Sequence, residues 1–154
     1  MTVGKLNIPK FEKNQVGQVT VTLTVTNHID QILAERGFIP FTEVRSVTLS
    51  DVLVDTGATL LSLPTRIIQQ LGLPVDSETT VQTSAGPQKA RLFREANLEL
   101  CGRHSTFDCL ELTEIDIPLL GVLPMARLGL EPDLQNQQLR VLPTEGDDTY
   151  IYAL

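Results

Sequence analysis

The chain contains few tryptophan, cysteine and histidine residues, and each of these scarcities argues against certain kinds of functional site. Its 154 residues include no tryptophan, two cysteines and two histidines. Two cysteines usually remain thiols in a reducing compartment. A serine or cysteine nucleophile would have only His28 and His104 as its base, and neither lies in a recognisable motif. The chain also lacks a run of basic residues, and its formal charge of −7 disfavours nucleic acid and anionic membranes as partners.

Long apolar segments are missing as well. No stretch approaches the length that crosses a membrane, and the first ten residues contain no apolar segment of the secretory type. We therefore expect a cytoplasmic protein. The length suits one domain with a useful core. We assign residues 1–143 to that domain and residues 144–154 to a polar C-terminal tail, in which the segment around Tyr150 is a candidate strand.

Strand patterns dominate the remainder of the chain. Residues 19–26 alternate valine or leucine with threonine, a period of two that predicts a strand with one buried face. Further strands are predicted from about residue 44 to Asp55 and over residues 78–83, 88–93, 96–101, 106–112 and 139–142. Short helices are predicted over residues 27–36, 64–72 and 124–128, with Pro64 at the first position of the second helix. The fold class is therefore mainly β with short helices.

The most informative segment lies near the middle of the chain, where an apolar run is interrupted by Asp55, Thr56, Gly57, Ala58 and Thr59. Asp55 supplies a carboxyl group, Thr56 a hydroxyl that can brace a turn, and Gly57 a backbone with no Cβ to obstruct close approach. A polar β-turn between two strands is the alternative interpretation of such a triplet. The apolar residues on both sides favour a carboxylate presented on a tight turn that emerges from the core, since an exposed hairpin tip would be more polar.

This segment resembles the active-site signature of the retropepsins and of their single-domain bacterial relatives. About thirty residues later, a glycine-bearing hairpin candidate resembles the flap that closes over substrate, and its residues are Thr83, Ser84, Ala85, Gly86 and Pro87. The apolar-apolar-Gly motif of the same family is resembled by Leu119, Leu120 and Gly121, and a short helix pattern follows it. The likeness extends from about residue 18 to about residue 142.

The resemblance implies a retropepsin-like closed β-barrel and an aspartic endopeptidase that takes a peptide or protein substrate and needs no metal or cofactor. Peptide hydrolysis by this chemistry uses two carboxyls that share one proton, because one accepts a proton from water while the other donates to the scissile carbonyl. No other aspartate of the chain is followed by threonine or serine and then glycine. A second Asp55 must therefore come from a second copy, and we expect an obligate homodimer with the chain termini at its interface.

The chain departs from the viral members of that family at several positions. Thr59 and Leu60 stand where viral enzymes carry acidic residues that hold the substrate backbone. Val122 and Leu123 replace an arginine and an asparagine, and the flap tip has one glycine where viral flaps have several. Subsite preference is therefore not transferable from the viral enzymes.

Two alternatives remain open at this point. One is a catalytically silent, dimeric peptide-binding module of the same fold, since a fold does not guarantee an activity. The other is a small metal-binding β-protein. Its ligands would be Cys101, His104 and Cys109, for which no fourth ligand is evident nearby.

Overall fold

The computed structural model describes residues 18–143, and these residues form a mainly-β structure with short helices, as the sequence predicts. The strands of this part of the chain are β1 (Thr20–Asn27), β2 (Ser46–Val54), β3 (Leu61–Pro64), β4 (Val75–Thr83), β5 (Gly86–Leu100), β6 (Arg103–Leu112), β7 (Leu119–Leu120), β8 (Leu130–Asp133) and β9 (Gln138–Val141). The α-helices within the same residues are α1 (His28–Glu35), α2 (Thr65–Leu71) and α3 (Val122–Leu128). None of these three helices is long and apolar enough to cross a membrane.

Seven strands form one sheet in the order β1-β2-β7-β3-β6-β5-β4. Because β1 also pairs with β5, six of the strands close into a ring, and β4 extends from β5 as the outer strand of a hairpin. The two-residue strand β7 lies between β2, to which it is parallel, and β3, to which it is antiparallel. This ring is consistent with the closed β-structure that the resemblance implies. Strands β8 and β9 form a separate two-stranded sheet.

The alternation of residues in β1 creates the two faces that the sequence predicts. Leu23 and Val25 are buried in the core. On the opposite face, Thr24 and Thr48 join their hydroxyls at 3.0 Å across β1 and β2, and Thr26 and Ser46 do the same at 2.9 Å. Helix α2 covers the core with its buried residues Ile67, Ile68 and Leu71.

A polar cluster fixes the connection between β1 and β2 at the end of the ring away from Asp55. Buried Asn27 accepts a hydrogen bond from the Asp30 N–H at 3.0 Å, and its amide donates to the Leu71 carbonyl at 2.9 Å. The Arg45 guanidinium donates two hydrogen bonds to the Asp30 carboxylate, of 2.8 and 3.0 Å. These bonds from Arg45 hold the pKa of the Asp30 carboxyl below its usual value, so the carboxylate stays charged.

Three local predictions need correction. The strand predicted over 139–142 is present as β9, but its expected place in the core is wrong, because within residues 18–143 it pairs with β8 alone and its residues are mostly exposed, with Leu139 packed against the core. Pro64 precedes α2 as its N-cap residue, in extended conformation, rather than opening the helix. The two strands predicted around residue 95 are one strand, β5, interrupted by a register shift at Glu95, which has a φ of +69°. The expected terminal strand and C-terminal tail lie outside the described residues.

Gly72 offers a test of the polar cluster. It ends α2 at a φ of +63°, and a Cβ at this position would lie 1.9 Å from Nη1 of Arg45. Because Nε and Nη2 of Arg45 bond Asp30, a guanidinium that moves aside to make room strains that ion pair. We expect Gly72→Ala to lower the free energy of unfolding by about 2–4 kcal/mol in urea titrations.

Gly37→Ala is the matched control, because Gly37 has a φ of +82° and nothing within 4 Å of a built Cβ. This variant should lose only about 1 kcal/mol of unfolding free energy, the cost of an L-residue at a positive φ. Equal losses in the two variants would mean that Arg45 does not constrain this position.

Candidate active site

Asp55 follows β2 directly and lies at the point where the chain leaves the ring. Its backbone N–H donates to the Leu120 carbonyl at 2.9 Å, which ties the residue to β7. Its side-chain oxygen Oδ1 accepts the N–H of Gly57 at 2.9 Å, and its carbonyl accepts the N–H of Ala58 at 3.1 Å. The carboxylate is thus held on a tight turn while the residue remains half-buried at the surface of a cleft.

The other residues of this turn take different positions. A Cβ built on Gly57 would lie 3.2 Å from Oδ1 of Asp55, so glycine permits the close approach of the carboxylate to the backbone. Ala58 is half-buried and lines the cleft with Asp55. Thr56 is exposed, and its hydroxyl makes no hydrogen bond within residues 18–143. The turn is therefore braced by backbone N–H groups and not by the Thr56 hydroxyl.

The segment that contains the apolar-apolar-Gly motif, Leu119 to Gly121, crosses directly beneath this turn. The N–H groups of Val122 and Leu123, at the start of α3, donate to the carbonyls of Ala58 and Thr59, each at 2.9 Å. A Cβ at Gly121 would lie 2.5 Å from the Leu60 carbonyl oxygen and 2.6 Å from that of Ala58. These are backbone atoms, which cannot move aside as the end of a flexible side chain can. Residue 121 must therefore be glycine for the two segments to cross.

A cleft of about 850 Å³ separates Asp55 from the hairpin formed by β4 and β5. The hairpin contributes Thr83, Ser84 and Ala85 from the predicted flap, whereas Gly86 and Pro87 do not line the cleft. The opposite wall comes from the Asp55 turn and from residues 110–115. The segment predicted to be a flap thus lies across the cleft from Asp55.

The tip of this hairpin is a two-residue turn between Thr83 and Gly86, which pair directly. The Thr83 hydroxyl donates to the Gly86 carbonyl at 2.7 Å and accepts the N–H of Ala85 at 3.1 Å. Gly86 has a φ of +103°, a conformation that L-residues rarely adopt. The turn is therefore specified locally by one threonine and one glycine.

Sequence reasoning missed the ion pair that anchors the hairpin to the ring. The buried carboxylate of Glu111 in β6 accepts two bonds from Arg91 of β5, at 2.8 and 3.0 Å, and one from the Thr65 hydroxyl at 2.8 Å. Arg91 in turn lies 5.2 Å from the ring centre of Phe93. No sequence motif joins these residues, because Arg91 and Glu111 are twenty positions apart and meet only through the pairing of β5 with β6.

The proposed metal ligands are not brought together. Cys101 lies in the exposed turn between β5 and β6, while Cys109 is buried in β6 beside Leu61 and Phe93. Burial raises the pKa of the Cys109 thiol to about 12, so it stays protonated at neutral pH. Within residues 18–143, no three histidine, cysteine, aspartate or glutamate side chains form a metal cluster. The structure therefore gives the metal-binding alternative no support.

Protonation of Glu111 offers a test of the hairpin anchor. The hydrogen bonds from Arg91 hold the pKa of the Glu111 carboxyl below its ordinary value of 4.5. The stabilisation is thus fully present above pH 4.5 and is lost as the pH falls through the lower pKa of the folded state. We expect Glu111→Gln to cost about 1 kcal/mol of unfolding free energy at pH 7, because Arg91 is half-exposed and water takes over part of its bonding.

The difference in unfolding free energy between Glu111→Gln and wild type should shrink as the pH falls. Urea titrations at a series of pH values will measure it. Glu78→Gln is the control, since Glu78 is exposed and lies 4.0 Å from Lys89. A pH-independent difference for Glu111→Gln would contradict the assigned cause.

Comparison with known protein families agrees with this geometry. A family model described as aspartyl protease matches residues 42–131, which is more than half of the chain. The matched range contains the Asp55 turn, the hairpin over the cleft and the crossing at Gly121. No curated protein matches the chain. The resemblance carried by the sequence motifs is confirmed at the family level: the chain belongs to the aspartyl protease family.

Proposed function

We propose that the protein is an aspartic endopeptidase that acts as a homodimer, with Asp55 of each copy forming the catalytic pair. The observation that carries the proposal is the presentation of Asp55 on a braced turn at the wall of a large cleft covered by a hairpin. Family membership supports protease chemistry, and the cleft supports an extended peptide as substrate.

The reaction requires two carboxyls that share one proton. One Asp55 in its ionised form accepts a proton from the attacking water, and the other, protonated, donates to the oxygen of the scissile carbonyl. Each chain offers one such turn, so the second carboxyl comes from the second copy. The hairpin over the cleft would exclude water once a peptide is bound, which strengthens the electrostatic interactions within the site.

The surface beside the Asp55 turn supports the dimer. Thr56 borders a groove of about 450 Å³ with residues of α3 and β8, and its other lining residues are Val122, Met125, Ala126, Gly129, Leu130, Glu131, Pro132 and Leu142. Val122 and Leu123 at the start of α3 are exposed by 39% and 52%. An apolar surface next to half of a catalytic site is suited to a self-complementary contact that brings two turns together. The expected interleaving of the chain termini concerns residues outside those that the structure describes.

Replacement of the carboxyl tests the catalytic assignment. Asp55→Asn keeps the size of the side chain and removes the group that exchanges a proton, so kcat/KM for a cleaved peptide should fall by roughly 10⁴-fold or more. Sedimentation should give the same dimer as wild type. A variant that retains wild-type activity would contradict the assignment. Peptide binding by wild type without Asp55-dependent cleavage would favour the silent binding module.

A charge placed on the apolar surface tests the assembly. We expect Leu123→Glu to shift the protein to monomers at micromolar concentration and to reduce specific activity in parallel, because a charge buried at an interface is costly. Wild-type specific activity should itself fall on dilution below the dimer dissociation constant.

Phe38→Glu is the control for this variant, since Phe38 is 72% exposed in the connection between β1 and β2. Activity from a strictly monomeric wild type would overturn the dimer. Dissociation by both variants would show that the surface at α3 is not the specific contact.

A further inference from the structure

One row of side chains crosses the floor of the cleft from β7 to β5. Leu119 pairs with Ser62, Ser62 with Leu110, and Leu110 with Leu92, through the successive strands β7, β3, β6 and β5. All four residues line the cleft. Directly paired residues of neighbouring strands share a face of the sheet, so this floor consists of three leucines and one serine.

Ser62 is the exception in this row in two ways. It is only 3% exposed, which makes it one of the few buried polar residues of the ring. Its hydroxyl has no hydrogen-bond partner in the part of the chain that the structure describes. A buried hydroxyl without a partner is destabilising by about 1–3 kcal/mol, so such groups in native proteins are normally satisfied.

The alternation along β3 explains why the hydroxyl faces the cleft. Leu61 and Leu63 are fully buried members of the core cluster, and Ser62 between them points to the other face of the strand. Thr65, the nearest hydroxyl residue that follows, is already bonded to Glu111. Ser62 is thus left with an unused donor and acceptor in an apolar part of the cleft.

We propose that Ser62 is a specificity-determining residue, which selects a substrate side chain with an apolar stem and an uncharged hydrogen-bonding end, such as glutamine or asparagine. The leucines on both sides contact the stem, and the Ser62 hydroxyl bonds the amide. A charged end is disfavoured because no opposite charge faces it in this row, and burial of an unpaired charge is costly. This inference rests on the proposed peptidase function and names the substrate class of the same cleft.

The position of Ser62 relative to Asp55 places the subsite along the substrate. Leu119 pairs with Leu53 on one side and with Ser62 on the other, so Ser62 lies two strand spacings, roughly 10 Å, from β2, which ends at Asp55. An extended peptide advances about 3.3 Å per residue. The selected side chain therefore belongs to a residue roughly two or three positions from the cleaved bond.

The test compares peptides that differ in one side chain. A positional-scanning peptide library locates the cleavage site, and paired peptides with glutamine or methionine at each nearby position are then compared by kcat/KM. Wild type should prefer glutamine at one position by roughly five- to tenfold, the effect of one hydrogen bond. Ser62→Ala should remove this preference. Ser62→Cys, which retains a side chain of similar size with a weaker donor, should weaken it even if Ser62→Ala fails to fold.

Ser105→Ala is the matched control, because Ser105 lies in β6 outside the residues that line the cleft. It should keep the preference of wild type. Equal cleavage of the paired peptides by wild type, or a glutamine preference that survives in both Ser62 variants, would overturn the proposal.

A binding measurement separates this proposal from the catalytic one. The same peptides are titrated into the full-length Asp55→Asn variant, with and without Ser62→Ala, and affinities are compared. A Ser62-dependent glutamine preference in binding, without cleavage by wild type, would support the subsite and reject the peptidase. Asp55-dependent cleavage without that preference would support the peptidase and reject the subsite. Absence of both binding and cleavage would reject the subsite and the peptidase together.

Discussion

The N–H of Asp55 donates to the Leu120 carbonyl, and at the next residue, Gly121, the chain crosses beneath the Asp55 turn with no room for a Cβ. The same crossing lets the first N–H groups of α3 bond the carbonyls of Ala58 and Thr59. The turn is also closed within its own segment, because Asp55 accepts the N–H groups of Gly57 and Ala58. The position of the carboxylate is therefore set by backbone bonds between two distant segments, and it does not depend on flexible side chains.

The cleft has a fixed floor and an anchored cover. The floor is built from strands of the closed ring, whose neighbours on both sides restrict their movement. The cover is the hairpin of β4 and β5, and among the described strands β4 pairs with β5 alone. The Arg91–Glu111 ion pair lies where the hairpin leaves the ring, so it restrains the base of the hairpin and not its tip.

Residues close to Asp55 in sequence line two different surfaces, the cleft and the apolar groove. Ala58 faces the cleft, whereas Thr56 borders the apolar groove beside α3. In the proposed dimer, a turn shared by the cleft and an apolar surface would couple the completion of the site to the association of two copies.

Features that follow from local rules can be predicted from the sequence. The alternation in residues 19–26 predicts a strand with one buried face and the residues around Asp55 predict a tight turn, and the structure contains both. Gly121 is marked in the sequence by its resemblance to a family motif, and the structure adds the physical reason for it, a crossing with no room for a Cβ. Only the tertiary structure reveals the pairing of Arg91 with Glu111, the separate sheet of β8 and β9, and the position of buried Ser62 on the floor of the cleft. The contacts of Arg91 and of Ser62 depend on strand register between residues 20 to 57 positions apart, and such register leaves no short-range signal in the sequence because many pairings satisfy the same alternation. The β8–β9 pairing is local, but its separation from the main sheet depends on packing that the sequence pattern does not specify.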